Sequence, residues 1–131
     1  MTGSTPCNSN EAPAKAVNGT VSGGNSDKFC SFAAPSQLTV DLGATYSITG
    51  LEIDHAGAGG EAASYNTRAY NVQVSTNGTT WTTVAQSTAN TANVTTHSLT
   101  TTSARYVRLN VTTPTQTTDP ATRIYEFKVF G

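Results

Sequence analysis

The amino-acid sequence predicts an all-β domain built as an antiparallel β-sandwich. From Gln37 onward, short runs alternate apolar and polar residues with a period of two, and turn residues separate the runs at close intervals. No segment shows the apolar period of an amphipathic helix. Many short strands joined by polar turns, in a chain of 131 residues, fit one sandwich rather than two domains.

The predicted strands follow one another between residues 38 and 130. They are residues 38–42, 48–53, 70–75, 81–84, 106–111 and 124–130. Asn77 and Gly78 supply the positive φ angles of a tight hairpin turn before the fourth strand. Trp81 follows that turn, and we expect it to pack across the hairpin as a core residue rather than as a ligand platform. Residues 1–35 are irregular; we assign residues 1–6 to a linker remnant and residues 7–131 to the domain.

Charge and hydropathy exclude two classes of partner. Charged residues make up only 11% of the chain, and the net charge is −1. No basic stripe exists to displace counterions from phosphates, so nucleic acid is not an expected partner. The apolar runs are far shorter than a membrane span, so no membrane partner is expected. Hydroxyl and amide side chains replace the missing charges, which favours a secreted, extracellular protein, and we expect a monomer.

The two cysteines, Cys7 and Cys30, fit no CxxC metal or redox motif. Disulfides persist outside the cell, and we therefore expect a Cys7–Cys30 disulfide. Closing that loop would stabilise the domain by about 3 kcal/mol. The alternative is a pair of buried free thiols.

One stretch, residues 55–68, concentrates polar, charged and aromatic side chains in an otherwise charge-poor chain. It lies between two predicted strands, and its glycines let the backbone fold tightly. An imidazole, a carboxylate, an amide and a guanidinium suit sugar hydroxyls, and an aromatic ring suits the C–H face of a sugar. The alternative is that these groups only satisfy the backbone of the loop. The candidate sugar-binding residues here are His55, Glu61, Tyr65, Asn66 and Arg68.

An enzyme is not expected, although His55 and Glu61 could form a general acid/base pair. Glycoside hydrolysis needs two carboxylates across a cleft, and acyl transfer needs an activated serine or cysteine with a base. The sequence contains no GxSxG or HExxH motif and no phosphate-binding GxxxxGK[ST] loop. We therefore predict that the loop binds a ligand without catalysis.

Six motifs occur in a fixed order along the chain. They are AVNG at 16–19, DKFCS at 27–31, LTVDLG at 38–43, VQVSTNGTTW at 72–81, ARYVRL at 104–109 and RIYEFKVFG at 123–131. This ordered set resembles the discoidin-like (factor V/VIII type C) domain, and it is most similar to bacterial family 32 carbohydrate-binding modules. The resemblance implies a galactose-binding-domain-like jelly-roll β-sandwich of about eight strands.

The resemblance also implies one structural Ca²⁺ ion. In members of this family the Ca²⁺ ion is bound by an Ala-Val-Asp-Gly turn, a threonine shortly before a tryptophan, and a glutamate in the last strand. In this sequence Asn18 occupies the position of the turn aspartate and Asp27 that of the threonine. Glu126 matches the glutamate of the last strand. The predicted metal site consists of Lys15, Asn18, Asp27 and Glu126.

The implied function is sugar binding by loops at one end of the sandwich. Phe29 replaces the usual tryptophan, and Tyr65 or Phe32 is expected to supply a stacking ring. We predict a lectin-like module that anchors a secreted glycoside hydrolase or other glycan-active enzyme of the same precursor chain to polysaccharide, with galactose-type sugars as expected ligands. The alternative is an adhesion module that binds protein or lipid through its loop tips.

Overall fold

A computed structural model describes residues 2–21 and 23–131 of the chain, and it confirms the predicted β-sandwich. The described residues form eight strands and four short 3₁₀ turns. No helix in this part of the chain has the length and apolar character needed to span a membrane. The turns are Pro13–Val17, Gly24–Asp27, Ala56–Gly59 and Ala63–Tyr65. The strands are β1 Thr2–Gly3, β2 Phe29–Ser31, β3 Ser36–Asp54, β4 Ala69–Ser75, β5 Thr82–Ser87, β6 Val94–Thr113, β7 Thr122–Ile124 and β8 Glu126–Phe130.

The two longest strands, β3 and β6, pair antiparallel with each other along most of their lengths. The first half of β3 also pairs with β1, and the second half of β6 pairs with β4, which pairs with β5. The second half of β3 pairs with β8. Strands β2 and β7 form a separate two-stranded sheet. All of these pairs are antiparallel, and only β4 and β5 are consecutive in the chain, so longer loops join most of the paired strands.

Two of the predicted strand boundaries are wrong. The predicted strands 38–42 and 48–53 are parts of one strand, β3, which is irregular between Asp41 and Tyr46. Gly43 has a φ of 83° at this point, so the strand changes register without ending. The predicted last strand is instead two strands, because the chain leaves β7 at Tyr125 and then pairs with β3 as β8.

The hydrophobic core lies between the sheets and takes alternate residues from each strand. Trp81 is not part of this core. It is only partly buried and lies on the outer face, where its ring centroid is 6.5 Å from that of Tyr106. Alternation explains this: Thr82 stands opposite the core residue Val74, so the preceding residue, Trp81, falls on the opposite, outer face. The largest core residues include Phe29, Leu38, Ile48, Leu51, Ile53, Val72, Val107, Leu109, Ile124 and Phe127.

The N-terminal segment is tied to the sandwich at several points. The predicted disulfide is confirmed, with the Cα atoms of Cys7 and Cys30 5.3 Å apart. Within the predicted linker remnant, Met1 lies outside the described residues, Thr2 pairs with Thr39 of β3, and Pro6 forms an isolated bridge with Ser31. The irregular first part of the chain therefore packs against the domain by one covalent link and a few strand-like contacts.

Removing the disulfide is expected to weaken the whole domain. The double variant Cys7→Ser, Cys30→Ser should lose about 3 kcal/mol of unfolding free energy, because its unfolded chain gains the freedom that the cross-link removes. Urea unfolding of wild type and variant, each with and without a reductant, measures this loss. Reductant should lower the stability of the wild type only. Equal stability of the two proteins without reductant would contradict the prediction.

Candidate functional site

The loop between β3 and β4 and the loop between β6 and β7 meet at one end of the sandwich. The main-chain N–H of Gln116 donates to the carbonyl of Ser64 at 2.9 Å, which joins the two loops. We call the polar face that they present the loop surface. It consists of five loop residues, Glu61, Tyr65, Arg68, Gln116 and Asp119, together with Arg123 of the adjoining strand β7.

Two glycines allow the first loop to fold down onto the sandwich. A Cβ atom on Gly57 would lie 1.9 Å from Oδ1 of Asn93, and one on Gly59 would lie 2.0 Å from the ring of Tyr125. Both distances are far shorter than a van der Waals contact, so any side chain at either position would push the loop away. The close approach of Gly59 to Tyr125 brings the next charged residue, Glu61, over the two-stranded sheet.

The carboxylate of Glu61 is fixed by three neighbours. Its Oε2 accepts hydrogen bonds from Nζ of Lys28 at 3.1 Å and from the hydroxyl of Tyr125 at 2.9 Å. Its Oε1 lies 3.4 Å from Nε of Arg123, an ion-pair contact without the alignment of a hydrogen bond. Burial and the Glu61 carboxylate raise the pKa of Tyr125, so this hydroxyl stays protonated and continues to donate. Oε1 accepts no hydrogen bond from the described residues and remains partly exposed.

The β2–β7 pairing explains why these partners converge. Cys30 stands opposite Arg123 in the register, and alternation places Lys28 and Tyr125 on the same face. The other face carries Phe29, which is in the core. Lys28 is only 4% exposed, and its Nζ also lies 3.6 Å from a carboxylate oxygen of Glu11. The buried ammonium is thus compensated by two carboxylates, as a buried charge requires.

Tyr65 and Asp119 complete the surroundings of Arg123. The guanidinium carbon of Arg123 lies 4.2 Å from the centroid of the Tyr65 ring, a cation–π contact. Nη1 of Arg123 donates to Asp119 at 3.2 Å. The Ala121 main-chain N–H, and then Arg123, hold the pKa of Asp119 below its usual value. Asp119 is therefore a stable anion that fixes one end of the guanidinium.

Arg68 and Phe32 are the most exposed of the predicted site residues. Nη1 of Arg68 donates to Oε1 of Gln116 at 3.1 Å, and Arg68 has no carboxylate partner among the described residues. The side-chain amide nitrogen of Gln116 donates in turn to the carbonyls of Asn66 and Asn90. Phe32 is 60% exposed and stands one residue beyond β2. The ring is available to solvent, and the guanidinium is held in place without being neutralised.

The predicted convergence of four polar side chains is wrong for His55 and Asn66, which are both fully buried. Oδ1 of Asn66 accepts from the main-chain N–H of Gly57 at 2.7 Å, and its Nδ2 donates to Oδ1 of Asn93 at 2.9 Å. These contacts hold the loop in its fold, which is the alternative left open by the sequence. Burial of both side chains prevents contact with a ligand, and this leaves Glu61, Tyr65, Arg68 and Phe32 from the predicted set.

His55 is a neutral buried base. Thr95 donates its hydroxyl to Oδ1 of Asn90 at 3.2 Å, so it accepts the N–H of His55 Nε2 at 2.8 Å. The other ring nitrogen, Nδ1, is buried without a hydrogen-bond partner. Burial, and then the nearby His97, lower the pKa of His55 to about 4. The imidazole therefore serves the packing of the loop and carries no charge near neutral pH.

Sequence reasoning missed three members of the loop surface: Gln116, Asp119 and Arg123. Arg123 alternates with the core residue Ile124, which indicates that it faces away from the core. Its pairing with Glu61 joins residues far apart in the chain. No local pattern reveals this contact.

A second group, which we call the turn cluster, consists of Asn18, Asp27 and Glu126. Nδ2 of Asn18 donates to Oδ1 of Asp27 at 2.9 Å, and Oε1 of Glu126 accepts from the N–H of Gly19 at 2.8 Å. Both carboxylates are more than nine-tenths buried, and burial raises the pKa of Glu126. Lys15, also predicted for this site, lies in the 3₁₀ turn just before Asn18.

The turn cluster has the chemistry of an oxygen-ligand cation site. Asp27 and Glu126 form no ion pair with the described residues, and Oδ1 of Asp54, opposite Glu126 across β3 and β8, is buried without a hydrogen-bond partner. Lys128 is the nearest base to Asp54, at 4.0 Å. These three carboxylates do not come within mutual ligand distance in the described part of the chain, so any bound cation would also need amide and main-chain oxygens.

Comparison with known proteins gives a family match over nearly the whole sequence. The family model described as the F5/8 type C domain matches residues 1–127. Among curated proteins, none matches this chain. The match covers both the loop surface residues up to Arg123 and the whole turn cluster.

Solved structures of carbohydrate-binding modules are similar to the chain over almost its full length. The family 32 module from Streptococcus pneumoniae EndoD is 28% identical with a TM-score of 0.87, covering 99% of this chain and 92% of that chain. Chitosan-binding module 2 from a Paenibacillus sp. IK-5 chitosanase/glucanase, solved with chitotriose, is 25% identical with a TM-score of 0.78, covering 98% and 93%. CpGH89CBM32-5 from Clostridium perfringens, solved with GalNAc-β-1,3-galactose, shares the fold at 16% identity and a TM-score of 0.78, covering 100% and 91%.

The buried neutral state of His55 should make the domain sensitive to acid. Between about pH 6.5 and pH 4 the unfolded chain binds a proton at His55 that the folded chain does not, so the unfolding free energy falls as the pH falls. The full effect is about 3 kcal/mol. Urea unfolding from pH 7 to pH 4.5 measures it. In the variant His55→Gln, whose amide can still donate to Thr95, the slope should be smaller. Parallel slopes for the two proteins would refute this role of His55.

Proposed function

This chain belongs to the F5/8 type C domain family, and we propose that it is a carbohydrate-binding module whose ligand occupies the loop surface. Its structural neighbours are carbohydrate-binding modules that bind various sugars. Such modules are non-catalytic and typically extracellular, and the Cys7–Cys30 disulfide fits an extracellular protein. We also propose that the module anchors an enzyme of the same precursor chain to its substrate, with galactose-type sugars among its ligands.

One observation carries the proposal: the Glu61 carboxylate is fixed through Oε2 and leaves Oε1 without a hydrogen bond. A sugar hydroxyl can donate to Oε1, while the exposed guanidinium of Arg68 can donate to the ring or hydroxyl oxygens of the sugar. Because Lys28, Tyr125 and Arg123 already hold the carboxylate, binding costs little side-chain entropy.

The apolar side of a sugar would face the rings of this surface. Tyr65 is positioned by Arg123 on one side of its ring and is partly exposed. Phe32 is 60% exposed and follows Ser31, which pairs with Thr122 of β7. Only a thin aromatic platform is available, so the affinity for a monosaccharide should be low, with a Kd of about 0.1–1 mM. Discrimination between epimers would come from hydrogen bonds, because an unpaired buried polar group costs about 1–3 kcal/mol.

We propose further that the turn cluster holds one structural Ca²⁺ ion. Asn18, Asp27 and Glu126 would supply side-chain oxygens, and the segment that begins at Lys15 would supply main-chain oxygens. When bound, the cation would neutralise two buried carboxylates and order the turns around the N-terminal segment. It would lie away from the loop surface and take no part in sugar contact.

Sugar binding should depend on Arg68 and Tyr65. Arg68→Ala and Tyr65→Ala should each weaken binding by about tenfold or more, because each removes a direct ligand contact. A glycan array of galactose-, N-acetylgalactosamine- and glucosamine-containing oligosaccharides identifies the ligand, and calorimetry then measures the affinity. Thermal unfolding should change little, since both side chains are at the surface.

Arg105→Ala is the matched control for these variants. It removes a surface arginine that pairs with Asp41 and lies outside the loop surface, and it should bind the array as the wild type does. Wild-type binding by Arg68→Ala and Tyr65→Ala would place the sugar site elsewhere. Co-sedimentation of the wild type with liposomes, in the absence of any glycan binding, would instead support an adhesion module.

Calcium should stabilise the domain through Glu126. In excess CaCl2 the melting temperature should rise above that in EDTA, by an amount that reaches about 3 kcal/mol of unfolding free energy at a hundredfold excess over Kd. Glu126→Gln should abolish the rise. Asp41→Asn is the control, because Asp41 pairs with Arg105 outside the turn cluster and should keep the response. The same melting temperature for the wild type in CaCl2 and EDTA would remove the proposal.

A further inference from the structure

We propose a second carbohydrate-binding surface on the outer face of the sheet β1-β3-β6-β4-β5, which takes an extended polysaccharide chain carrying carboxylate groups. It is separate from the loop surface and from the turn cluster. We call it the sheet platform and define it by five residues whose side chains contact one another. They are Asn71, Gln73, Trp81, Arg108 and Asn110.

The strand registers place these side chains side by side. Asn71 of β4 stands opposite Asn110 of β6, and Gln73 stands opposite Arg108. The residues that alternate with them, such as Val72 and Leu109, are buried in the core. The platform side chains therefore all point away from the core, and they are partly exposed.

Internal hydrogen bonds hold the platform in one arrangement. Oε1 of Gln73 accepts from Nη2 of Arg108 and from Nδ2 of Asn110, both at 2.8 Å. Nδ2 of Asn110 also donates to Oδ1 of Asn71 at 2.9 Å. The guanidinium carbon of Arg108 lies 3.9 Å from the centroid of the Trp81 ring, which supports it from one side. A ligand would meet groups that are already ordered, which lowers the entropy cost of binding.

The hydrogen-bonding groups left over on the platform are mostly donors. The internal contacts use the side-chain oxygens of Gln73 and Asn71. Nη1 of Arg108 and the side-chain nitrogens of Gln73 and Asn71 have no hydrogen-bond partner among the described residues. A surface with spare N–H groups fits a ligand rich in oxygen acceptors, and a sugar carboxylate is the strongest such acceptor.

The charge of the platform points to an anionic ligand. Arg108 has no carboxylate partner in the described ranges, and its hydrogen bonds go only to the neutral amide of Gln73. Arg105, at the margin of the same face, is by contrast paired with Asp41 at 2.9 and 3.1 Å. The platform therefore carries one uncompensated positive charge at its centre, complementary to a uronate carboxylate.

The spacing of the strands fits a polymer rather than a single sugar. Gln37, Asn110, Asn71 and Gln86 occupy one row, with one amide on each of four neighbouring strands. Strands in a sheet lie about 4.8 Å apart. A pyranose unit in an extended chain advances by a similar distance, so a polysaccharide crossing the strands would present about one sugar to each amide.

Native gel electrophoresis in gels that contain a polyuronate, with alginate and polygalacturonate as the probes, tests the sheet platform. The wild type should be retarded, and Arg108→Gln and Asn71→Ala should each weaken the retardation about tenfold. Asn71→Ala leaves the Arg108–Gln73 contact in place, and thermal unfolding of both variants confirms that they fold. Arg105→Gln removes the same charge from an arginine that Asp41 neutralises, so it is the matched control and should be retarded as the wild type is. Arg68→Ala is run beside it to report on the loop surface.

Three results would overturn the sheet platform. The first is undiminished retardation of both folded variants, and the second is loss of retardation in Arg68→Ala alone, which would assign the polymer to the loop surface. The third is equal or stronger retardation of the wild type by neutral hydroxyethylcellulose, which would remove the role of the Arg108 charge. Because the loop surface is tested with short oligosaccharides, and the sheet platform with a polymer and with variants of Arg108 and Asn71, either proposal can fail without the other.

Discussion

The antiparallel pairing of β3 with β6 is the constraint on which the rest of the molecule depends. Their shared register places Leu38 and Leu109 in the core, and it turns Arg108 and Asn110 outward on the opposite face. Where the pairing ends at Asp54, the chain enters the loop that carries Glu61. This one set of main-chain hydrogen bonds thus orients the core residues of both strands, the β6 half of the sheet platform and the start of the loop surface.

Local patterns predict the strands of this protein well and its polar contacts poorly. Alternation locates the segments that pair, because the side-chain period of a strand is independent of its partner. Trp81, His55 and Asn66 show the limit. Trp81, expected in the core, packs on the outer face, whereas His55 and Asn66, expected to bind a ligand, are buried and bond to Thr95 and Gly57. Residue type alone cannot distinguish a group that binds a ligand from one that holds a loop, whereas burial can.

The sequence could not predict the contacts of the site that join residues far apart in the chain. The loop sequence predicts Glu61 as a site residue. The groups that fix its carboxylate are the ammonium of Lys28, the hydroxyl of Tyr125 and the guanidinium of Arg123, and they lie on segments before and after the central strands. Those contacts follow from the β2–β7 register and from the approach of Gly59 to Tyr125. The cluster therefore depends on the completed fold, because no short stretch of chain contains two of its charged members.

The pairing of charges distinguishes the arginines that build the domain from those available to a ligand. Arg105 and Arg123 each contact a carboxylate, and their charge is neutralised within the protein. Arg68 and Arg108 instead donate to the side-chain oxygens of glutamines. A neutral amide orients a guanidinium without cancelling its charge, so both groups keep their attraction for ligand oxygens. In a chain with so few charges, the two arginines without a carboxylate stand on different faces, and each face offers the spare donors that a sugar polymer can use.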